Sequence, residues 1–302
     1  MHKPQQNIEK AILLAVFAMC AFSMSDGLRK MEAAAHGLME ILFWQGVFAL
    51  MVLMVVSPFL GGVKTLLKRQ NLGWHFLRGL LIALNTTFSI IAVSHVPMMD
   101  AYTIFFLTPF VTTLLSMFFF RERFGIYRWM AIFVGFLGAF IAFRPGFSEL
   151  HWAYIFACAC VFTFAFSSII ARKIGHGQGT LGFGVWPILI LLIGILIVNG
   201  FHLPYHYDAV FLAYCAVIGA CYGLALVTIA HSYTLAPASV IAPYQYIQII
   251  FALGFGYFVF NDVPDAFKIL GAGIIIASGV FLFMRERIVK KRAAAQSQAQ
   301  DI

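Results

Sequence analysis

The chain has 302 residues, of which 62% are hydrophobic and only 11% charged. Soluble domains carry about 25% charged residues, so this composition excludes a soluble fold with a single anchor and describes a polytopic membrane protein. The formal net charge of +8 is scattered between apolar runs instead of forming one patch, which argues for loop charge and against nucleic-acid binding.

Ten apolar runs follow one another at about 9–27, 38–60, 76–96, 100–120, 127–144, 152–171, 180–200, 209–232, 239–260 and 266–284, each near the ~20 residues a helix needs to span a bilayer. The first run has Lys3 and Lys10 before it in the manner of a signal peptide. No small-x-small cleavage site follows, and Met19 before Cys20 spoils a lipoprotein-like site, so the run is expected to be retained. Ten crossings put both termini on one face. With both inside, 16 of the 20 basic residues are cytoplasmic, leaving Arg29, Lys30, Arg144 and Lys268 outside. That bias predicts an inner-membrane protein with both termini in the cytoplasm. The five cysteines all lie within apolar runs, so no disulfide framework is expected.

An internal repeat is visible. The fourth run ends FFFRERFGIYRWMAIFVGFLGAF, with Glu122 at its lip, and the ninth ends YFVFNDVPDAFKILGAGIIIASGV, with Asp262 at its lip. A shift of 140 residues puts Glu122 on Asp262, Ala131 on Gly271 and Gly138 on Ser278. Arg29-Lys30 is echoed by Arg172-Lys173 at a shift of 143. Five crossings per unit is odd, so the halves have opposite orientation, as in the inverted repeats of secondary transporters. The expected fold is all-α: ten transmembrane helices in two inverted five-helix units, over 9–144 and 145–287. A short cytoplasmic segment (1–8) and a polar cytoplasmic tail (288–302) flank them.

This constellation resembles the EamA-type branch of the drug/metabolite transporter superfamily, over about residues 8–288. Within it, FLRGLL at 76–81, APYQYIQ at 242–248 and FNDVPD at 260–265 look like the subgroup labelled S-adenosylmethionine uptake transporters. The resemblance implies a central cavity among the first, third, fourth, sixth, eighth and ninth helices.

Residues 238–262 carry the densest polar face. Tyr244, Gln245 and Gln248 fall at i, i+1 and i+4 near one end of an otherwise apolar stretch, followed by Gly254 and Gly256, where a neighbouring helix is expected to approach closely. Asn85 and Thr86 sit on the third run with Ser89; Tyr102, Thr103, Thr108 and the kinking Pro109 sit on the fourth. Ser167 with Ser168 lies on the sixth run, and Tyr222 with Thr228 on the eighth. The substrate-binding candidates are Asn85, Thr86, Tyr102, Thr103, Ser167, Tyr222, Tyr244, Gln245 and Gln248, a neutral lining. Abundant aromatic residues suit a flat, stackable solute.

The single coupling candidate is Asp26, near the outer end of the first run after Ser23 and Ser25. Uphill transport with protons needs a group that is charged in one step and neutral in another. Arg29 at i+3 and Lys30 at i+4 offer the plainer role of an exposed helix-end ion pair. His202 and His206 have metal-ligand spacing, but Pro204 lies between them in a loop-like segment, so no metal is expected and no cofactor either. The acidic residues fall at helix ends, in loops or in tails. An intramembrane enzyme acting on a lipid or prenyl substrate, the alternative, would need an acidic pair or a His-Asp dyad at membrane depth. The reading is a secondary carrier of a small organic metabolite (nucleoside-bearing, amino-acid-like or otherwise aromatic), embedded in a lipid bilayer as a monomer or homodimer.

Overall fold

The structure, a computed structural model, describes residues 3–60, 62, 63, 66, 72–120, 126–143, 151–174, 181–200, 202, 208–236, 241–263 and 265–300. In hydrocarbon every backbone N–H and C=O must be satisfied within its own segment, and an apolar chain of this length meets that demand as helices. The described residues form eleven: α1 Lys3–Glu32, α2 Leu38–Val56, α3 Leu72–His95, α4 Met98–Phe105, α5 Thr108–Phe120 and α6 Ile126–Phe143. There follow α7 Ala153–Ile174, α8 Gly182–Val198, α9 Ala209–Leu235, α10 Gln248–Phe258 and α11 Ala266–Gln300. Two 3₁₀ turns, Ser57–Leu60 and Ala242–Ile247, extend α2 and precede α10.

Six stretches are long and apolar enough to span a membrane: Ile8–Glu32, Leu38–Leu60, Leu72–His95, Met98–Phe119, Ala153–Ala171 and Ala209–Tyr233. Trp129–Ala142, Gly182–Val198 and Ala266–Phe281 are shorter apolar helices. Their outward faces expose Leu13, Val55, Phe59, Phe133, Ile155, Val198 and Phe258, a surface that suits lipid and not water.

Several elements depart from the apolar runs. The fourth run is two helices, broken at Phe106 and Leu107. Pro109 has no amide hydrogen for the carbonyl of Phe105, and the Leu107 amide turns back to Ile104 O at 2.9 Å, so the chain tightens before α5 begins. The ninth run is not one α-helix: Ala242–Ile247 within it is 3₁₀. The tail at 288–302 is helical to Gln300, continuing α11. Glu122 lies outside the described residues.

Close approaches are made by other glycines than those expected. Among the described residues, a Cβ on Gly254 would meet nothing within 4 Å, and one on Gly256 would meet only Asp262, just past its own helix, with the carbonyl oxygen at 3.5 Å. By contrast, α6 and α11 touch at Gly138 and Gly271, where a Cβ on Gly138 would stand 2.8 Å from Gly271 O. Gly219 brings α9 against α2, its Cβ position 2.6 Å from Gln45 O. Small residues serve membrane helices by letting backbones meet.

Around these seams α1 packs on α9, α3 on α7, α2 on α9, α3 on α8, α5 on α7, α1 on α10, α2 on α8, α4 on α10 and α6 on α11. Buried alanines of α1 (Ala11, Ala15, Ala18) carry the α9 contact with Ala225 and Ile229.

Candidate functional site

A cavity of about 690 Å³, counting the space at its open mouth, lies between α1, α3, the α4–α5 break, α7, α9 and the start of α10. From α1 come Met19, Phe22, Asp26 and Arg29; from α3 come Ile82, Asn85, Thr86 and Ser89. Phe105 and Thr108 enter at the helix break, Cys160 and Phe164 from α7, Tyr222 and Leu226 from α9, and Gln245 and Gln248 from the ninth run.

Its polar centre is charged. Asp26 and Arg29 form a buried ion pair at 2.7 Å. Burying two charges is tolerable only if their remaining hydrogen-bonding groups are also met, and here most are. Tyr102 donates its hydroxyl to Asp26 Oδ2 at 2.9 Å and Ser89 its hydroxyl to Oδ1 at 3.4 Å. Arg29 donates Nε–H to Gln45 Oε1 at 2.7 Å, and its guanidinium lies 4.8 Å from the Tyr222 ring centroid. Tyr222 is hydrogen-bonded in turn to Thr86. Opposite, Asn85 donates to Cys160 O at 2.9 Å and Thr163 Oγ1 at 3.1 Å, and Gln245 donates to Tyr233 Oη at 2.9 Å.

The expected neutral lining is therefore corrected. Asp26 is not an exposed helix-end residue: α1 runs six residues past it to Glu32, and its carboxylate faces the bundle interior. Asp100 is buried as well, so acidic residues are not confined to loops and exposed ends. Arg78, expected among the loop charges, is buried in α3. Arg29 and its partner Gln45 were not among the candidates. A signal existed: Met19, Phe22, Asp26 and Arg29 recur at three and four residues, which aligns them on one helix face.

Of the candidate residues, Asn85, Thr86, Tyr222, Gln245 and Gln248 stand on the cavity wall. Tyr102 reaches it through the Asp26 bond. Thr103 does not: it is buried and donates to Met99 O at 2.7 Å. Tyr244 packs instead on the apolar α1–α9 cluster, because a 3₁₀ turn aligns i with i+3 and leaves i+2 and i+1 off that edge. Ser167 lines a second void, with room for about one water, beside Ser168, Arg78 and Tyr233. Ile82, Phe164 and Leu226 border both cavities. There Arg78 donates to Phe183 O at 2.8 Å and lies 4.9 Å from the Phe183 ring centroid. Thr228 bonds its own helix, to Leu224 O at 2.7 Å.

At the other end, beyond Asp26, charges knit the helix termini. Lys30 donates to Val96 O at 3.0 Å and pairs with Asp262 at 3.3 Å. Lys268 pairs with Asp100 at 2.7 Å, and Tyr154 donates to Asp100 Oδ2 at 2.8 Å. Among the described residues no group of three His, Cys, Asp or Glu side chains could hold a metal, and the five cysteines are free. His202 is exposed, and His206 lies outside the described residues.

A helical bundle with lipid-suited faces around a charged, solute-sized cavity is a membrane transport protein. The chain matches the EamA-like transporter family over residues 9–144 and 151–284, and it belongs to that family. It is 25% identical to the S-adenosylmethionine uptake transporter of Rickettsia bellii, over 90% of this chain and 92% of that one. It is 26% identical to the riboflavin transporter of Vibrio cholerae, over 80% and 82%. The pseudopaline exporter CntI of Pseudomonas aeruginosa is also 26% identical, over 91% and 96%. One crystal structure superposes with a TM-score of 0.70 at 16% identity, over 93% of this chain and 99% of that one, a likeness of fold. The protein is a multi-pass membrane transporter of a small molecule, not an enzyme.

Proposed function

We propose that the protein is an alternating-access carrier of ten crossings, built from two inverted five-helix units over 9–144 and 145–287. Both termini face the cytoplasm, and the cavity around Asp26 and Arg29 is the substrate site. The observation that carries this is the symmetry of the packing. Let α4–α5 count as the fourth crossing and residues 242–258 as the ninth. Exchanging the first five crossings with the last five then turns the contact of first with eighth into that of sixth with third, both major seams. Second with eighth becomes seventh with third, and fourth with sixth becomes ninth with first. Fifth with tenth, second with seventh and fourth with ninth map onto themselves. Such a pseudo-two-fold provides two equivalent arrangements, facing in and facing out, around one site. The double match to one family supports the duplication.

Gln245, Gln248, Asn85, Thr86 and Tyr222 would orient the solute, and Phe22, Phe105 and Phe164 would stack on it. Two of the relatives' named cargoes, S-adenosylmethionine and riboflavin, share a flat heteroaromatic part. Asp26, held by Arg29, Tyr102 and Ser89, is the group we assign to proton coupling.

The test is counterflow in proteoliposomes preloaded with S-adenosylmethionine, riboflavin or aromatic amino acids. Exchange of an unaltered organic solute is expected; an absence of exchange across a broad metabolite panel would remove the carrier assignment. With an imposed pH gradient, Asp26→Asn should abolish accumulation yet keep counterflow. Accumulation equal to the parent would remove Asp26 from the coupling role.

A further inference from the structure

What the cavity receives is set by groups on its wall whose hydrogen-bonding capacity the fold leaves unused. A guanidinium has five N–H donors. Arg29, 2% exposed, gives Nε to Gln45 and Nη1 to Asp26, while Nη2 has no partner among the described residues. Arg78, 4% exposed, gives Nη1 to Phe183 O, and its Nε has no partner among the described residues. Buried donors are seldom left so. The two arginines stand in the two cavities that meet at Ile82, Phe164 and Leu226.

Resting on the carrier function proposed above, we propose that the transported solute bears a carboxylate, received by Arg29 in the large cavity and passed to Arg78 once the apolar layer of Ile82, Phe164 and Leu226 has parted. The guanidinium edge matches a carboxylate in shape and charge. A monoanion is the fitting charge: Asp26 already neutralises most of Arg29, and a phosphate dianion would be repelled by Asp26 2.7 Å from the same guanidinium. Tyr222, stacked on Arg29, leaves the aromatic part of such a solute a place beside its acid group. Arg78 then supplies a second anion station past the apolar layer, where Ser167 and Ser168 also stand.

The experiment uses purified full-length protein and a library of aromatic and nucleoside acids, each matched with a neutral counterpart. Such pairs include indole-3-acetate with indole-3-acetamide and adenosine 5′-carboxylate with its 5′-carboxamide; riboflavin is the uncharged control. Binding is read by thermal shift and titration. The best acid should bind on the order of 10- to 100-fold more tightly than its neutral partner, the scale of a hydrogen bond to a charged group. If no acid outbinds its partner, the proposal is overturned. Counterflow of riboflavin with no acid preference would overturn it too, while leaving the carrier function standing. The double variant Asp26→Asn with Arg29→Gln, which removes both charges together, should bring the acid's Kd to that of its neutral partner; retained preference counts against Arg29. For Arg78, Arg78→Gln should leave the acid's Kd within about twofold and slow its flux by about tenfold or more, with Arg78→Lys restoring part of it. Should the Gln variant fail to fold, Arg78→Lys still gives a flux. Parental flux in whichever variants fold removes the second station.

Discussion

The two ends of the bundle are closed by different physics. At the end bearing the α1–α2 turn, proposed here as the outer one, Lys30–Asp262 ties α1 to the turn between α10 and α11, and Lys268–Asp100 ties α11 to α4, with Asp26–Arg29 just beneath. Toward the other end, the floor of the large cavity is the apolar layer of Ile82, Phe164 and Leu226, backed by a small void. Ion pairs have one good geometry and lose most of their value when the partners part. Apolar side chains can slide and repack at small cost per contact. The outer end is thus suited to act as a latch and the inner end as a seal that yields by degrees.

The largest effect is expected where the latch is most buried. Asp26→Ala leaves Arg29 charged and shut away from water, and losing one partner of a buried pair costs about 3–5 kcal/mol. Thermal unfolding in detergent should show a marked drop for Asp26→Ala and a much smaller one when Arg29→Gln is added. Equal drops for the single and double variants would mean that the pair is not what the cavity wall depends on.

The seal should show a middling effect. Phe164 is half-buried, so Phe164→Ala should lose about 1–3 kcal/mol, less than a fully buried aromatic residue. It would also merge the two cavities. An uncoupled leak of solute in proteoliposomes, absent from the parent, is the expected signature; tight exchange in the variant would relocate the seal.

These contrasts also explain what the sequence could and could not yield. The helices were legible because a long apolar run leaves the backbone no alternative in lipid. Pro109 announced the break at Phe106 and Leu107. Asp26 was legible as a residue but not as a buried one. Hydropathy ends a run where charge begins, at about residue 27, whereas α1 continues to Glu32 with its charges turned inward. A buried pair therefore imitates a helix end. The 3₁₀ turn at Ala242–Ile247 left no comparable mark, and assuming an α-helical period there put Tyr244 on the cavity wall beside Gln245 and Gln248. The close glycines were misassigned because a small residue permits contact without specifying a partner. Only packing against α11 distinguishes Gly138 from Gly254.

The smallest energetic effect is expected at the rim, and it isolates the latch best. The Lys30 and Asp262 side chains are 14% and 32% exposed, so water and salt reach their pair, and its loss should cost about 1 kcal/mol or less. Lys30→Met keeps the apolar stem but drops the pair, the bond to Val96 O and the charge over Phe260. If the pair only decorates the rim, nothing but stability should change. If it is part of the latch, a cost of that size moves the population of outward-open molecules by about threefold to fivefold. Cys160 on the cavity wall reports that population, because an impermeant thiol reagent reaches it from outside only when the outer end is open. Labelling of Cys160, followed by mass spectrometry, should therefore quicken about threefold to fivefold in Lys30→Met. The parent should approach the same rate in high salt, which screens an exposed pair within a few ångströms. Unchanged labelling in the variant would leave the outer closure to Lys268–Asp100.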